Sequence, residues 1–160
     1  MGEFKLVQVR NPHYLGEIAP FINNFVEKIQ PYGITYQSLW TYFSQSVQLG
    51  GDRTEFWVVL NESDEPVAFA HWFVMALPHV GKVCCDYIYS WNRMSEPVSM
   101  LMDKFIEFGK RNNSPMYEGH AANDVLYRVW RKAAYKKKMG IKPTGIVNFV
   151  GRKEWAAAQN

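Results

Sequence analysis

Apolar residues change spacing several times along the chain, and each change marks an element. Lys5-Leu-Val-Gln-Val-Arg10 alternates apolar and polar positions and predicts a short strand. Ile18, Phe21, Ile22, Phe25 and Ile29 then recur at helical spacing. Pro20 falls in the first turn of that helix, where its missing N–H costs little. Gln30-Pro-Tyr-Gly33 breaks the pattern. Thr35 can cap a second helix with Tyr36, Leu39, Trp40, Phe43 and Val47 on one face, and Gly50-Gly51 ends it.

The middle of the chain reads as strands. Phe56-Trp-Val-Val-Leu60 and Pro66-Val-Ala-Phe-Ala-His-Trp-Phe-Val-Met75 are separated only by the turn Asn61-Glu-Ser-Asp-Glu65, so they predict an antiparallel pair. Pro78-His-Val-Gly81 marks another turn before Val83-Cys-Cys-Asp-Tyr-Ile-Tyr89. The period then returns to helical. Ser95 can cap a helix with Val98, Leu101, Met102, Phe105 and Phe108 or Gly109 inward. Lys110-Arg-Asn-Asn-Ser114 closes it, and Pro115-Met-Tyr-Glu-Gly-His120 reads as a short strand. Strand, crossover helix and strand make a right-handed unit with parallel strands. A last helix is predicted from about Asn123 to Met139, with Leu126, Trp130, Ala133 and Ala134 inward, and a final strand over Ile146–Val150. The sum is an α/β (α+β) fold of one domain over 1–160. Its sheet is mixed and mostly antiparallel, with six to seven strands, a central parallel pair and about four helices on its faces.

Composition narrows the class. A length of 160 residues suits one domain with a real core, and 48% hydrophobic with 21% charged residues argues against disorder. No apolar run is long enough to span a membrane, and Met1-Gly-Glu-Phe-Lys lacks the apolar core of a signal peptide. Cys84 and Cys85 are adjacent and would point to opposite faces of a strand, so the expectation is two free thiols in a reducing, cytoplasmic setting. A net charge of +3 is too weak to imply nucleic acid and does not oppose an anionic ligand. His13, His71, His79 and His120 show no metal-ligand spacing, so no metal is expected.

The order strand, two helices, three strands, helix, strand, helix, strand resembles the GNAT superfamily, whose members move an acyl group from coenzyme A to an amine. The resemblance is best from about Thr54 to Arg152. Met139-Gly-Ile-Lys-Pro-Thr-Gly-Ile-Val-Asn-Phe149 is similar to the family's closing segment. Tyr87-Ile-Tyr-Ser-Trp-Asn-Arg93 falls where the family has its central strand and the first arginine of its pyrophosphate motif, and Leu101 falls on the leucine that packs the next helix onto the sheet. The motif itself is degenerate. Its two small positions are Glu96 and Val98 here, with Pro97 between. A carboxylate repels phosphate, proline removes a donor, and valine adds bulk where glycine permits close approach. Tyr135 precedes Gly140 by five residues, whereas the family's proton-donating tyrosine precedes its glycine by four, a place held here by Lys136.

The resemblance implies an N-acetyltransferase using acetyl-CoA on an unidentified amine of a small molecule or a protein, by direct transfer. The same resemblance leaves open a non-catalytic interaction or assembly module that has lost coenzyme A binding, and a homodimer. Asp86 lies on the strand that often carries the family's general base. It would share a face with Cys84 and Ile88, an apolar setting suited to a raised carboxyl pKa. The alternative is a hydrogen-bonded sheet aspartate, and Glu118 on the neighbouring strand is an equal rival. Tyr135, or Tyr127, would protonate or orient the departing thiolate. The pantetheine arm would lie along Tyr87, Ile88 and Tyr89. Arg93, Met94, Ser95 and Ser99 would meet the phosphates, with Asn123 near the amide arm. Ser95 and Asn123 read equally as helix caps, and Arg93 as a solvated loop arginine. Trp40 and His71 are expected to wall the acceptor pocket, His71 being a core or cleft histidine. The basic run Arg128, Arg131, Lys132, Lys136, Lys137 and Lys138 reads as a solvated helix face.

Overall fold

The computed structural model describes residues 3–29, 34–76, 81–114 and 116–119, with the helical positions 128, 131 and 132. In chain order the elements are β1 (Lys5–Val9), α1 (Pro12–Glu17), α2 (Ala19–Ile29), α3 (Tyr36–Leu49), β2 (Thr54–Leu60), β3 (Pro66–Ala76), β4 (Gly81–Ser90), α4 (Ser95–Arg111) and β5 (Met116–Gly119). Among the described residues the sheet has five strands in the order β1-β2-β3-β4-β5. The first four are antiparallel neighbours, and β4 and β5 run parallel. The predicted last helix, apart from helical positions 128, 131 and 132, and the strand over Ile146–Val150 lie outside the described residues.

Local chemistry sets the element ends. Thr35 caps α3, its Oγ1 accepting from the Ser38 N–H at 3.1 Å while Ser38 Oγ accepts from the Thr35 N–H at 3.1 Å. Gly50, at φ 47°, ends that helix as expected. In the β2–β3 turn the Asn61 Oδ1 accepts the N–H groups of Ser63 and Glu65, each at 2.9 Å. The helix expected over Ile18–Ile29 is α2, and the short α1 before it, capped by Asn11 with Pro12 at its first position, is not among the expected elements. One expectation fails. Ser95 is not the cap of α4. Met94 occupies that position without a side-chain bond to the helix, and its carbonyl accepts from Ser90 Oγ at 3.1 Å.

Each face of the sheet carries its own core. Helices α1 to α3 cover one face, packing Leu15, Ile22, Leu39 and Phe43 onto Phe56, Val58 and Phe69. Helix α4 covers the other, packing Leu101, Phe105 and Phe108 onto Val59, Trp72, Val83 and Cys85. Each fully buried side chain of this size contributes about 1.5–3 kcal/mol. Glu55 is the exception, a carboxylate only 8% exposed. It accepts from the indoles of Trp57 at 2.8 Å and Trp72 at 3.1 Å and pairs with Arg111 at the end of α4. These donors offset its desolvation and tie α4 to β2.

Close packing of β5 on α4 depends on one glycine. A Cβ added at Gly109 would stand 2.3 Å from Tyr117 Cε1, and the Tyr117 hydroxyl donates to the Ile106 carbonyl at 3.1 Å. Gly109→Ala gains about 1 kcal/mol of helix propensity. Overpacking costs roughly 1–3 kcal/mol, so the net change is expected to be destabilising. In a Tyr117→Ala background the sign should reverse. Urea denaturation of the four chains of this double-mutant cycle checks both signs.

Candidate active site

Strand β4 carries one residue more than β3 opposite it. His71 pairs with Tyr87 and Trp72 pairs with Cys85, so Asp86 is left over as a bulge. The bulge interrupts side-chain alternation. Val83, Cys85 and Ile88 face α4, whereas Tyr87 and Tyr89 face the α1–α3 layer. Asp86 therefore does not share a face with Ile88, which corrects the strand pattern expected from sequence. Its surroundings are polar on the side of its carboxylate, which corrects the apolar setting.

Three donors converge on that carboxylate. Oδ1 faces His71 Nδ1 at 2.7 Å and accepts from the Tyr87 N–H at 3.0 Å, while Oδ2 accepts from the Tyr42 hydroxyl at 2.7 Å. Each carboxylate oxygen has two acceptor positions, so among the described residues Oδ2 keeps one open. His71 is 1% exposed, and its Nε2 lies 2.7 Å from Ser46 Oγ and 3.1 Å from Thr54 Oγ1. The two hydroxyls are 2.6 Å apart. The cluster joins α3, β2, β3 and β4. Tyr42 forms its outer cover at 38% exposure, with its ring 5.2 Å from the His71 ring and 6.2 Å from that of Tyr87.

Burial raises the pKa of the surrounding weak acids. Desolvation, with the charge and hydrogen bond of Asp86 added, pushes the Tyr42 phenol well above the usual range, so it remains a donor. Tyr87 shifts the same way, by burial and then the Asp86 charge. Burial pushes the Cys84 thiol up to about 12, with smaller contributions from Glu118 and Asp86, and it raises Cys85 as well. Both cysteines are buried and free.

The sequence-predicted residues are only partly brought together. Asp86 and His71 touch, but His71 is sealed behind Tyr42 and Asp86 and does not wall a pocket. Trp40 stacks on Tyr36 at 5.8 Å and lies near Gly16 of α1. Two residues separate it from Tyr42, which on a helix is about 200° of rotation, so it faces away from Asp86. Glu118 stands opposite Cys84 and pairs with Lys82. The rings of Tyr87 and Tyr89 and the Ile88 side chain are taken up by the two cores, leaving their backbone edge to meet a ligand. The side chain of Arg93, and Asn123, Tyr127 and Tyr135, lie outside the described residues. Tyr42, Ser46 and Thr54 were missed. The available signal was the spacing of Tyr42 and Ser46 by four residues, a polar stripe beside the apolar face of α3.

The described register of the parallel pair runs from Lys82 opposite Met116 to Cys85 opposite Gly119, next to the bulge, and β4 continues beyond it to Ser90. A 3₁₀ turn, Trp91–Arg93, with Asn92 at φ 50°, then leads to the uncapped start of α4. The N–H groups of Ser95 and Glu96 lie outside the helix's own hydrogen-bond ladder. A strand that runs on past its parallel register suits the amides of a pantetheine arm, and N–H groups outside the helix ladder suit a phosphate. The exposed Glu96 carboxylate and the missing N–H of Pro97 weaken the second fit without removing it.

No protein-family model and no curated protein matches the sequence. Solved structures do match the fold. An aminoglycoside N-acetyltransferase in complex with coenzyme A superposes with a TM-score of 0.65 at 11% identity, over 96% of this chain and 97% of that one. A protein from Clostridium acetobutylicum, described as a predicted acetyltransferase and solved with acetyl-CoA, gives 0.62 at 15% identity over 93% and 96%. A ribosomal-protein-alanine N-acetyltransferase from Brucella melitensis gives 0.59 at 15% over 93% and 99%.

The thiol and phenol shifts set an alkaline limit on stability. A group whose pKa is raised on folding stabilises the fold below its unfolded value and loses that contribution as pH rises towards the folded one. For Cys84 the window runs from 9.0 to about 12. The melting temperature should fall steadily from pH 9 to pH 11, and Cys84→Ala should flatten the first part of that fall. A melting temperature that is constant across this range would contradict the burial of these groups.

Proposed function

We propose that this chain, which has the GNAT fold, is an N-acetyltransferase that uses acetyl-CoA and acts on the amine of a small molecule or a protein. One observation carries the reading. β4 and β5 run parallel, β4 continues past their described register towards a start of α4 that has no side-chain cap, and a carboxylate with one acceptor position open among the described residues stands at the bulge between them. Neighbours of the same fold solved with coenzyme A or acetyl-CoA support it.

In this reading the backbone of Tyr87, Ile88 and Tyr89 holds the pantetheine arm. Arg93, Met94, Ser95 and Ser99 hold the phosphates, and Asn123 and Tyr127 contact the arm from the last helix. Bound acetyl-CoA supplies the activated acyl carbon and a thiolate leaving group. Asp86 Oδ2 receives the proton of the incoming ammonium, leaving a nucleophilic amine aimed at the acyl group. Asp86 is preferred to Glu118 because Lys82 already pairs with Glu118. Tyr135 is assigned the proton for the leaving thiolate. Orientation of the two substrates at one strand edge provides much of the rate. Tyr42 takes the place of Trp40 and His71 as the side chain covering the acceptor position, and the cytoplasm is the setting that two free thiols favour.

Calorimetric titration with acetyl-CoA tests binding. Release of free thiol across a panel of primary amines tests transfer. Asp86→Asn should lower kcat by about 10²–10⁴-fold and leave coenzyme A affinity unchanged. Glu96→Gln should tighten coenzyme A up to about fivefold, the scale of one charge at a helix start. Val98→Gly is unsuited to this comparison, since Val98 is buried on the inner face of α4 and its loss would open the core. The absence of binding at millimolar acetyl-CoA would sink the enzymatic reading and leave an interaction module.

A further inference from the structure

Behind Asp86 lies a second layer of hydrogen bonds that nothing in the acyl-transfer reading requires. Its connectivity runs from Asp86 Oδ1 to His71 Nδ1, and from Nε2 to Ser46 Oγ and Thr54 Oγ1. The direction of these bonds can be worked out. An ionised Asp86 has no proton to give, so the contact at 2.7 Å requires the hydrogen on Nδ1. If Nε2 also carried a hydrogen, it would donate to Ser46 or Thr54. Through the Ser46 branch, Ser46 would then donate to Thr54, and Thr54 would have to donate to the Trp72 carbonyl. That last contact is 3.3 Å, beyond the usual range for a hydroxyl donor. Through the Thr54 branch the Nε2 hydrogen would take the longer contact at 3.1 Å and leave the 2.7 Å contact to Ser46 without one. With Nε2 bare, Ser46 donates to it at 2.7 Å and Thr54 donates to Ser46 at 2.6 Å in preference to the Trp72 carbonyl, so both links are short.

We propose that Ser46 and Thr54 hold His71 as its neutral Nδ1–H form, and that through His71 they position Asp86 with Oδ2 as its open acceptor. The proposal deepens the acyl-transfer reading and rests on it for the role of Asp86. Ser46, Thr54 and His71 are positioning residues. They occupy the Oδ1 side, while the phenol of Tyr42 is the only described side chain on Oδ2. A neutral His71 leaves the negative charge of Asp86 uncompensated within the cluster, so the carboxylate presents full charge to an ammonium. The other titratable groups near it are Tyr42 on α3, Cys84, Cys85 and Tyr87 on β4, and Glu118 on β5, which Lys82 pairs. Among the described residues none of these pairs a cation with Asp86. The order of atoms is that of a serine hydrolase triad, but Ser46 sits in the last turn of α3, whose carbonyl end disfavours an oxyanion.

Two measurements decide it, and the first needs no turnover. Long-range ¹H–¹⁵N correlation on labelled protein at pH 7.5 should show His71 with a protonated Nδ1 and a bare Nε2, assigned by loss of the signals in His71→Gln. A doubly protonated ring or an Nε2–H ring overturns the proposal whether or not the chain is an enzyme. Second, Ser46→Ala with Thr54→Val should lower kcat about 10- to 100-fold at unchanged KM for acetyl-CoA, the scale on which losing a supporting bond behind a site acts. Thr54→Ser should retain full activity. An unchanged kcat in the double variant, or an acetyl group found on Ser46 by mass spectrometry, would overturn the positioning role. Failure of every amine with wild-type protein would instead remove the acyl-transfer reading, and the nitrogen spectrum would still decide the arrangement of the cluster.

Discussion

One extra residue in β4 is the constraint on which the site depends. A strand that alternated without interruption would send Asp86 and Tyr87 to opposite faces. The bulge sets both side chains towards the α1–α3 layer, and it does so next to the register Cys85–Gly119 of the parallel pair. The carboxylate then meets a helix, a neighbouring strand and its own backbone at once. It is held by hydrogen bonds rather than by apolar packing, and that difference matters. Packing is non-directional, whereas three donors fix the angle of a carboxylate.

The two ends of the proposed cofactor track differ in kind. Along the β4 edge, recognition uses backbone groups that any sequence provides, so changes of side chain leave it intact. At the start of α4, recognition depends on what stands in the first turn. There Glu96 stabilises the helix by roughly 0.3–1 kcal/mol and works against an anion at the same place. In the proposed reading the phosphate end of the track is compromised, and more of the binding energy would come from the strand.

Element types were legible in the sequence wherever the apolar period persisted over several turns or pairs. α3, the β2–β3 hairpin, the α4 face and the parallel direction of β5 all followed from spacing and turn residues. Element ends were less legible, because they depend on which of two neighbouring residues completes a bond. Met94 rather than Ser95 holds the cap position of α4, and the Asn11-Pro12 pair that starts α1 was a readable signal passed over. The bulge was hidden because one extra residue leaves a strand looking apolar throughout. Its trace is the spacing of Val83, Cys85 and Ile88, two residues and then three. The layer behind Asp86 was not readable at all. Tyr42 is separated from Asp86 by 44 residues and Ser46 from His71 by 25, and no local period encodes contacts of that range.

The Glu55 clasp bears on the order in which the chain assembles. Arg111 leaves α4 just before β5 begins, and its partner lies 56 residues earlier on β2. The crossover unit is therefore not self-contained. The exit direction of its helix is secured by a strand from the opposite half of the sheet. Contacts of such long sequence separation form late, after loop closure has been met by other interactions. The parallel pair that borders the site is then a finishing step of folding, completed on a hairpin that is already in place.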